Sequence, residues 1–174
     1  MLPTVIVVMG VSGCGKTTVA RLLAQRLGWR FAEADEFHSA ANVEKMRGGI
    51  PLTDGDRAPW LAAIARYIDE ARASGSPSVV TCSALKRRYR DVIVGSRPDV
   101  ALVYLKGDYD TIAKRLDARR HHYMPVSLLQ SQFDALEEPG SDEKPIVAPI
   151  QRSPGEIVTE LVAALGPRSG VQRP

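Results

Sequence analysis

The 174-residue sequence has little cysteine and no long hydrophobic run, and each shortage excludes a class of protein. The two cysteines, Cys14 and Cys82, are too few for a disulfide framework, so we expect a reduced, cytoplasmic protein. No apolar run approaches the ~20 residues that cross a membrane, and residues 1–9 are expected to form a core strand and not a signal peptide. The sequence therefore predicts no membrane partner.

An excess of charge of one sign is also lacking. The formal net charge is +3, and neither a block of five like charges nor an RNA-binding signature occurs. Arginine and lysine cluster at residues 86–90 and 114–120. These clusters are either solvated helix faces or contacts for an anionic ligand. We expect a small anionic substrate and no nucleic-acid partner. The apolar fraction of 44% is ordinary for one soluble globular domain.

Residues 10–17 (GVSGCGKT) match the phosphate-binding loop G-x-x-x-x-G-K-[ST] at every position. An apolar, β-branched run at residues 4–9 precedes them, and apolar residues at helical spacing follow. Lys16 is expected to reach the β- and γ-phosphates of ATP, and the Thr17 hydroxyl to ligate Mg²⁺. The alternative is a glycine-rich turn that binds nothing. The predicted nucleotide-binding residues are Gly10, Val11, Ser12, Gly13, Cys14, Gly15, Lys16, Thr17 and Thr18.

Five short apolar segments alternate with helical patterns, which predicts an α/β fold with a five-stranded parallel sheet. The predicted strands are residues 4–9, 29–34, 78–82, 100–105 and 145–150. The predicted helices after the first are residues 40–47, 56–74, 83–94, one from 108, 126–136 and 154–165. A single domain is expected over residues 1–165, with a lid at about 117–127 and a disordered tail at 166–174. Ligands should gather at the carboxyl ends of the strands.

Candidate catalytic groups follow these strand ends. Asp35 follows the second strand and is the first candidate for the general base, and for an Mg²⁺ ligand through water. The third strand, which ends around Thr81, lacks the acid that often stands at this position. Asp35 is therefore expected to carry more of the metal-binding and base functions. The alternatives are that Asp35 only caps a loop, or that the adjacent Glu36 is the base.

Ten segments of the sequence together resemble the bacterial-type gluconate kinases, within the P-loop kinase superfamily. They are residues 10–17 (GVSGCGKT), 35–38 (DEFH), 42–46 (NVEKM), 51–54 (PLTD), 56–61 (DRAPWL), 82–86 (CSALK), 89–91 (YRD), 104–107 (YLKG), 131–133 (SQF) and 136–139 (LEEP). The resemblance covers about residues 4–165. Its most specific parts are CSALK and DRAPWL.

This resemblance implies a kinase related to shikimate and nucleoside monophosphate kinases, with strand order 2-3-1-4-5, a closing lid and a homodimeric assembly. It implies ATP- and Mg²⁺-dependent phosphorylation of D-gluconate at its 6-hydroxyl. The product, 6-phosphogluconate, would feed the pentose phosphate or Entner–Doudoroff pathway.

The resemblance also implies roles for individual residues. Asp35 corresponds to the acid that meets substrate and metal, and Arg120 to a lid arginine with catalytic and ATP-binding roles. The lid reads His121-His122-Tyr123, where the family often has Gly-His-Phe. The implied substrate-binding residues are Asp35, His38, Arg57, Lys86, Arg90, His122 and Gln132. For Arg57 and Arg90, structural ion pairs with Asp54, Asp56 or Asp91 are the alternative.

Two other functions stay open at this point. A kinase for another small anion, such as shikimate, would have the same phosphate-binding loop. Shikimate kinases usually carry a glycine pair after the third strand, where this chain has Cys82-Ser83-Ala84. A nucleotide-dependent switch would hydrolyse ATP slowly without an acceptor.

Overall fold

The central sheet is built from five short apolar segments, as β-branched side chains favour buried parallel strands. A computed structural model describes residues 2–118 and 126–166. The strands are β1 (Val5–Met9), β2 (Arg30–Glu33), β3 (Ser78–Thr81), β4 (Val100–Lys106) and β5 (Ile146–Pro149). All four strand pairings are parallel, and the order β2-β3-β1-β4-β5 confirms the expected topology.

Helices cover both faces of this sheet. They are α1 (Lys16–Leu27), α2 (Ala40–Arg47), α3 (Asp54–Ala73), α4 (Arg87–Ile93), α5 (Tyr109–Ala118), α6 (Val126–Ala135) and α7 (Pro154–Leu165). Short 3₁₀ helices occupy Ala34–Phe37 and Ser141–Glu143. None of the helices described is long and apolar enough to cross a membrane.

Alternate side chains of β1 enter two cores because successive residues of a strand face opposite ways. Val5, Val7 and Met9 pack with α3 and α4. Ile6 and Val8 pack with α1, α6 and α7. The strand that leads into the glycine loop is therefore buried on both faces, as its sequence predicts.

Caps fix the ends of several helices, including the predicted starts of α5 and α7. Gly28 ends α1 in the left-handed conformation, with φ at 69°. Asp108 caps α5, its carboxylate accepting from the Thr111 amide at 2.7 Å. Ser153 and Glu156 form the capping box of α7, with Pro154 in its first turn. These local signals could be recognised because each involves residues close in the sequence.

Two predicted helix starts are wrong. Helix α3 begins at Asp54 and not at Asp56, because Thr53 and Asp56 form a capping box at its start. Helix α4 begins at Arg87 and not at Ser83. Ala84 has a φ of 46°, a left-handed conformation that interrupts a helix. Residues 82–86 therefore form a loop at the carboxyl edge of the sheet.

Candidate active site

The glycine loop between β1 and α1 has the shape that phosphate binding requires. Gly10 has a φ of 151°, and a Cβ there would lie 2.9 Å from the Leu105 carbonyl oxygen. Gly13 has a φ of 83°, and its Cβ would lie 2.8 Å from Leu116 of α5. Side chains are thus excluded at both positions, and the loop leads into the N-terminus of α1, an arrangement typical of anion-binding sites.

Lys16 lies across this loop. Its ammonium group donates to the carbonyl oxygens of Gly10 at 2.9 Å and Val11 at 3.1 Å. Cys14, also within the loop, is 2% exposed, and burial raises the pKa of its thiol. Cys14 is thus a neutral packing residue, whereas Lys16 supplies the positive charge.

Glu33, the last residue of β2, is a polar neighbour of the loop that sequence reasoning missed. Its carboxylate accepts a hydrogen bond of 2.5 Å from the Thr17 hydroxyl. Hydroxyl and carboxylate oxygens are the ligands that Mg²⁺ prefers, and it commonly takes one or two from the protein and others from phosphates. The signal in the sequence was an acid at the carboxyl end of a strand, two residues before Asp35.

Asp35 and His38 follow β2 directly, in and just after the first 3₁₀ helix. Asp35 is exposed. Burial lowers the pKa of His38, the charge of Asp35 raises it, and that of Arg57 lowers it. Burial also raises the pKa of Cys82 to about 12, with smaller effects from Lys16 and Asp35. The charge of Asp35 thus acts on both His38 and the buried Cys82, which follows β3.

Arg57 and Lys86 approach the same aromatic ring from different elements. The Arg57 guanidinium carbon and the Lys86 ammonium each lie 5.9 Å from the centre of the Tyr89 ring. The Tyr89 hydroxyl donates to Asp54 at 2.6 Å, and this hydrogen bond is the main cause of the lowered pKa of Asp54. Arg57 itself donates to the Leu52 carbonyl at 2.7 Å. The structure therefore brings two of the three predicted acceptor-binding cations together.

Arg90 is the predicted cation that the structure does not bring to this cluster. Its side chain is 1% exposed and forms an ion pair with Glu143, with Nε to Oε2 at 2.6 Å. The same guanidinium donates to the carbonyls of Ala84 and Leu85. Its position is that of a structural ion pair, but with Glu143 and not with Asp54, Asp56 or Asp91. Arg90 therefore supports the strained loop beside Lys86.

Gln132 of α6 contacts the phosphate loop directly. Its amide oxygen accepts from the Ser12 backbone amide at 2.7 Å, and its amide nitrogen donates to the Ser12 hydroxyl at 2.8 Å. The predicted lid residues Arg120 and His122 lie outside the described residues, as does the predicted tail from residue 167.

The parallel sheet and the filled phosphate-loop pattern define a P-loop nucleotide-binding protein. A family model described as "AAA domain" matches residues 5–139. The chain is 49% identical to the gluconokinase of Gluconobacter oxydans over 160 residues, which covers 92% of this chain and 90% of that protein. Its sequence is 44% identical to that of a gluconokinase from Sinorhizobium meliloti. The crystal structure of that protein superposes with a TM-score of 0.84, covering 94% of this chain and 92% of that one. The chain belongs to the gluconokinase family.

More distant structures share the fold alone. A shikimate kinase from Acinetobacter baumannii superposes with a TM-score of 0.60 at 19% identity, covering 95% of this chain and 93% of that one. This likeness shows that the chain shares its fold with that shikimate kinase.

Proposed function

We infer that this chain transfers the γ-phosphoryl group of ATP to the 6-hydroxyl of D-gluconate, giving ADP and 6-phosphogluconate. The observation that carries this inference is the 49% identity to a gluconokinase over nearly the whole chain. The topology supports it, because Lys16, Asp35 and Lys86 follow the carboxyl ends of the neighbouring strands β1, β2 and β3. Phosphoryl transfer needs positive charge at the phosphates and a group that takes the proton of the acceptor hydroxyl.

The nucleotide half of the site is proposed to consist of the loop amides, Lys16 and Thr18. Lys16 would leave its present carbonyl partners to meet the β- and γ-phosphates. Thr17, Glu33 and Asp35 would hold Mg²⁺, directly or through water, and that ion would neutralise charge on the phosphates. The 2.5 Å contact between Thr17 and Glu33 supports this assignment.

The acceptor half is proposed to centre on Asp35, which would take the proton of the attacking hydroxyl. Arg57 and Lys86 would bind the carboxylate end, with a guanidinium suited to two-point recognition of a carboxylate. His38 would contact acceptor hydroxyls. Arg120 and His122 are proposed to complete the site from the lid on the basis of the family resemblance.

The test is ADP production from ATP and Mg²⁺ with D-gluconate, shikimate, AMP or no acceptor. We expect strong stimulation by gluconate alone, with 6-phosphogluconate identified by its oxidation with a 6-phosphogluconate dehydrogenase. Stimulation by shikimate or AMP would overturn the assignment of the acceptor. Slow ADP release without dependence on an acceptor would favour the nucleotide switch.

Of three further proposals, the assembly rests on the resemblance, whereas the location and the excluded partners rest on cysteine content, hydropathy and charge pattern. We propose that the protein is a cytoplasmic homodimer that binds neither membranes nor nucleic acid. Sedimentation velocity tests the assembly, and cell fractionation tests the location. Release of ADP that rises with added RNA would contradict the proposed lack of a nucleic-acid partner.

A further inference from the structure

Asn42 of α2 is a buried amide, 6% exposed, held between two hydrogen-bond acceptors. Its nitrogen donates to the backbone carbonyl of Asp56 at 2.9 Å and lies 3.3 Å from Nδ1 of His38. A carbonyl oxygen only accepts hydrogen bonds, so rotation of the amide by 180° would set oxygen against oxygen. The Asp56 carbonyl therefore fixes which end of the amide faces His38.

This orientation also fixes the tautomer of His38. An amide nitrogen donates and does not accept, so the short contact requires Nδ1 of His38 to be the acceptor. In a neutral imidazole an accepting Nδ1 leaves the proton on Nε2. Burial favours the neutral ring, with Arg57 acting in the same direction and Asp35 against it.

The ring plane of His38 is fixed as well. It stacks on Trp60 of α3, with the ring centres 4.3 Å apart and the planes 12° from parallel. The indole of Trp60 is held in turn by its donation to the Ala34 carbonyl at 2.7 Å. Since both the plane and the tautomer are constrained, the direction of the Nε2–H bond is constrained too.

No protein group within residues 2–118 and 126–166 accepts a hydrogen bond from His38 Nε2. His38 is half-buried, and its electrostatic neighbours are Asp35 and Arg57, both assigned to the acceptor half of the site. Among the described residues the Nε2–H group is therefore a donor without a protein partner, beside the groups proposed to bind the sugar acid.

We propose that Asn42 is a positioning residue that holds His38 as its Nε2–H tautomer, so that His38 donates to a hydroxyl oxygen of the sugar acid. This rests on the proposed function for the identity of the acceptor. The lone pair of Nδ1 is engaged by Asn42, and Nε2 carries a proton. His38 thus has no lone pair with which to remove the proton of the attacking hydroxyl, and the base is one of the carboxylates.

The tautomer is tested on the intact wild-type protein by ¹⁵N NMR of its histidine side chains. We expect one imidazole with an unprotonated Nδ1 and a protonated Nε2, whose signals disappear in His38→Gln. A protonated Nδ1 on this ring, or a doubly protonated ring at neutral pH, would overturn the inference. Because this spectrum needs no substrate, it is independent of whether gluconate is phosphorylated.

The donor role is tested with a matched pair of variants. The amide nitrogen of Gln reaches the position of Nε2, whereas that of Asn reaches only the position of Nδ1. We expect His38→Asn to lower kcat/KM for gluconate about 10-fold further than His38→Gln does, the value of one hydrogen bond. The KM for ATP should be unchanged in both. Equal losses in the two variants would overturn the donor role.

Asn42 itself is tested by Asn42→Ala, with its thermal unfolding measured alongside. We expect a mixture of His38 tautomers in the NMR spectrum and a KM for gluconate raised about 5-fold, with the KM for ATP unchanged. A spectrum identical to wild type would overturn the positioning role. Absence of gluconate turnover in a wild-type protein with the Nε2–H tautomer would overturn the proposed function and leave the tautomer standing.

Discussion

Asp35 and Glu36 are consecutive exposed carboxylates, and the expected base is only one of them. Asp35→Asn keeps the shape of the side chain but removes its charge and its proton affinity. We expect kcat to fall at least about 100-fold, the usual contribution of a general base, with ATP binding little changed. Glu36→Gln is the matched control, and we expect its kcat within about 3-fold of wild type in the ADP assay.

The two variants also separate the alternatives. A large loss in Glu36→Gln with a normal Asp35→Asn would make Glu36 the base. If Asp35→Asn weakened only ATP binding, measured by titration calorimetry, Asp35 would be a metal ligand or a structural residue.

Glu33 gives a second prediction for a single side chain. If its carboxylate helps to hold Mg²⁺ beside Thr17, Glu33→Gln should raise the Mg²⁺ concentration needed for half-maximal activity about 10-fold. At saturating Mg²⁺ most of the activity should return. The measurement is a Mg²⁺ titration at fixed ATP, with Glu36→Gln as the control. An unchanged Mg²⁺ requirement would assign Glu33 to the orientation of Thr17 alone.

At the scale of elements, α6 is joined to the phosphate loop by the paired hydrogen bonds of Gln132 and Ser12. Gln132→Ala removes both bonds and should loosen the loop, so we expect the KM for ATP to rise about 5- to 10-fold. Gln130→Ala, on the exposed side of the same helix, is the control. A rise in the KM for gluconate alone would return Gln132 to the substrate-binding role implied by the resemblance.

The segment after α6 supports a second active-site loop through the pair of Arg90 and Glu143. Glu143→Gln removes the negative charge that balances the buried guanidinium of Arg90. Breaking a buried ion pair in this way typically lowers the free energy of unfolding by about 3 kcal/mol or more. We expect that loss in urea unfolding. Asp142→Asn breaks the adjacent ion pair with Arg87. The Arg87 side chain is 51% exposed and that of Asp142 60%, so the free energy of unfolding should fall by less than about 1 kcal/mol. Equal losses would contradict the structural role of the buried pair.

The same loop illustrates what the sequence could and could not predict. The start of α7 at Pro154 was predicted because the residues of its capping box lie within one turn. Residues 83–86 of this loop were predicted as helix because nothing about an alanine indicates a left-handed conformation. The loop is supported by Arg90, whose partner Glu143 is 53 residues away along the chain. A bond of that separation depends on tertiary packing, so the sequence did not indicate the pair of Arg90 and Glu143.

At the scale of the whole molecule, the parallel α/β sheet was predicted from the alternation of strands and helices, and its order from the family resemblance. That order brings the ends of β1, β2 and β3 together, which is why Lys16, Asp35 and Lys86 could be assigned to one site from the sequence. Glu33 was missed because its partner Thr17 is recognised only once β2 and α1 are adjacent. The residues that follow the carboxyl ends of the strands were thus predictable, whereas individual side-chain pairs were not.

Stability of the whole molecule should depend on pH on the acid side. Hydrogen bonds from Arg97, then Arg72, lower the pKa of Asp69 from 3.8 to about 2 in the folded protein. Because the pKa of Asp69 is lower in the folded than in the unfolded protein, its ionised form stabilises the fold at pH values above the unfolded pKa. This stabilisation is lost as the pH falls from about 4 to about 2. Urea unfolding at pH 7, 4 and 2.5 should show this loss. Asp69→Asn should flatten the dependence, whereas Asp117→Asn at an exposed site should not.

The central position of β1 has a consequence for how the chain is made. Both neighbours of β1 come later in the sequence, and Ser78, the first residue of β3, follows Met9 by 69 residues (78 − 9). At about 5–20 residues per second, a ribosome takes roughly 3–14 s to make that interval. β1 therefore has no strand partner until β3 has been synthesised. Its other edge is paired only after β4 has been synthesised. Aggregation of the nascent chain is most favoured during that interval.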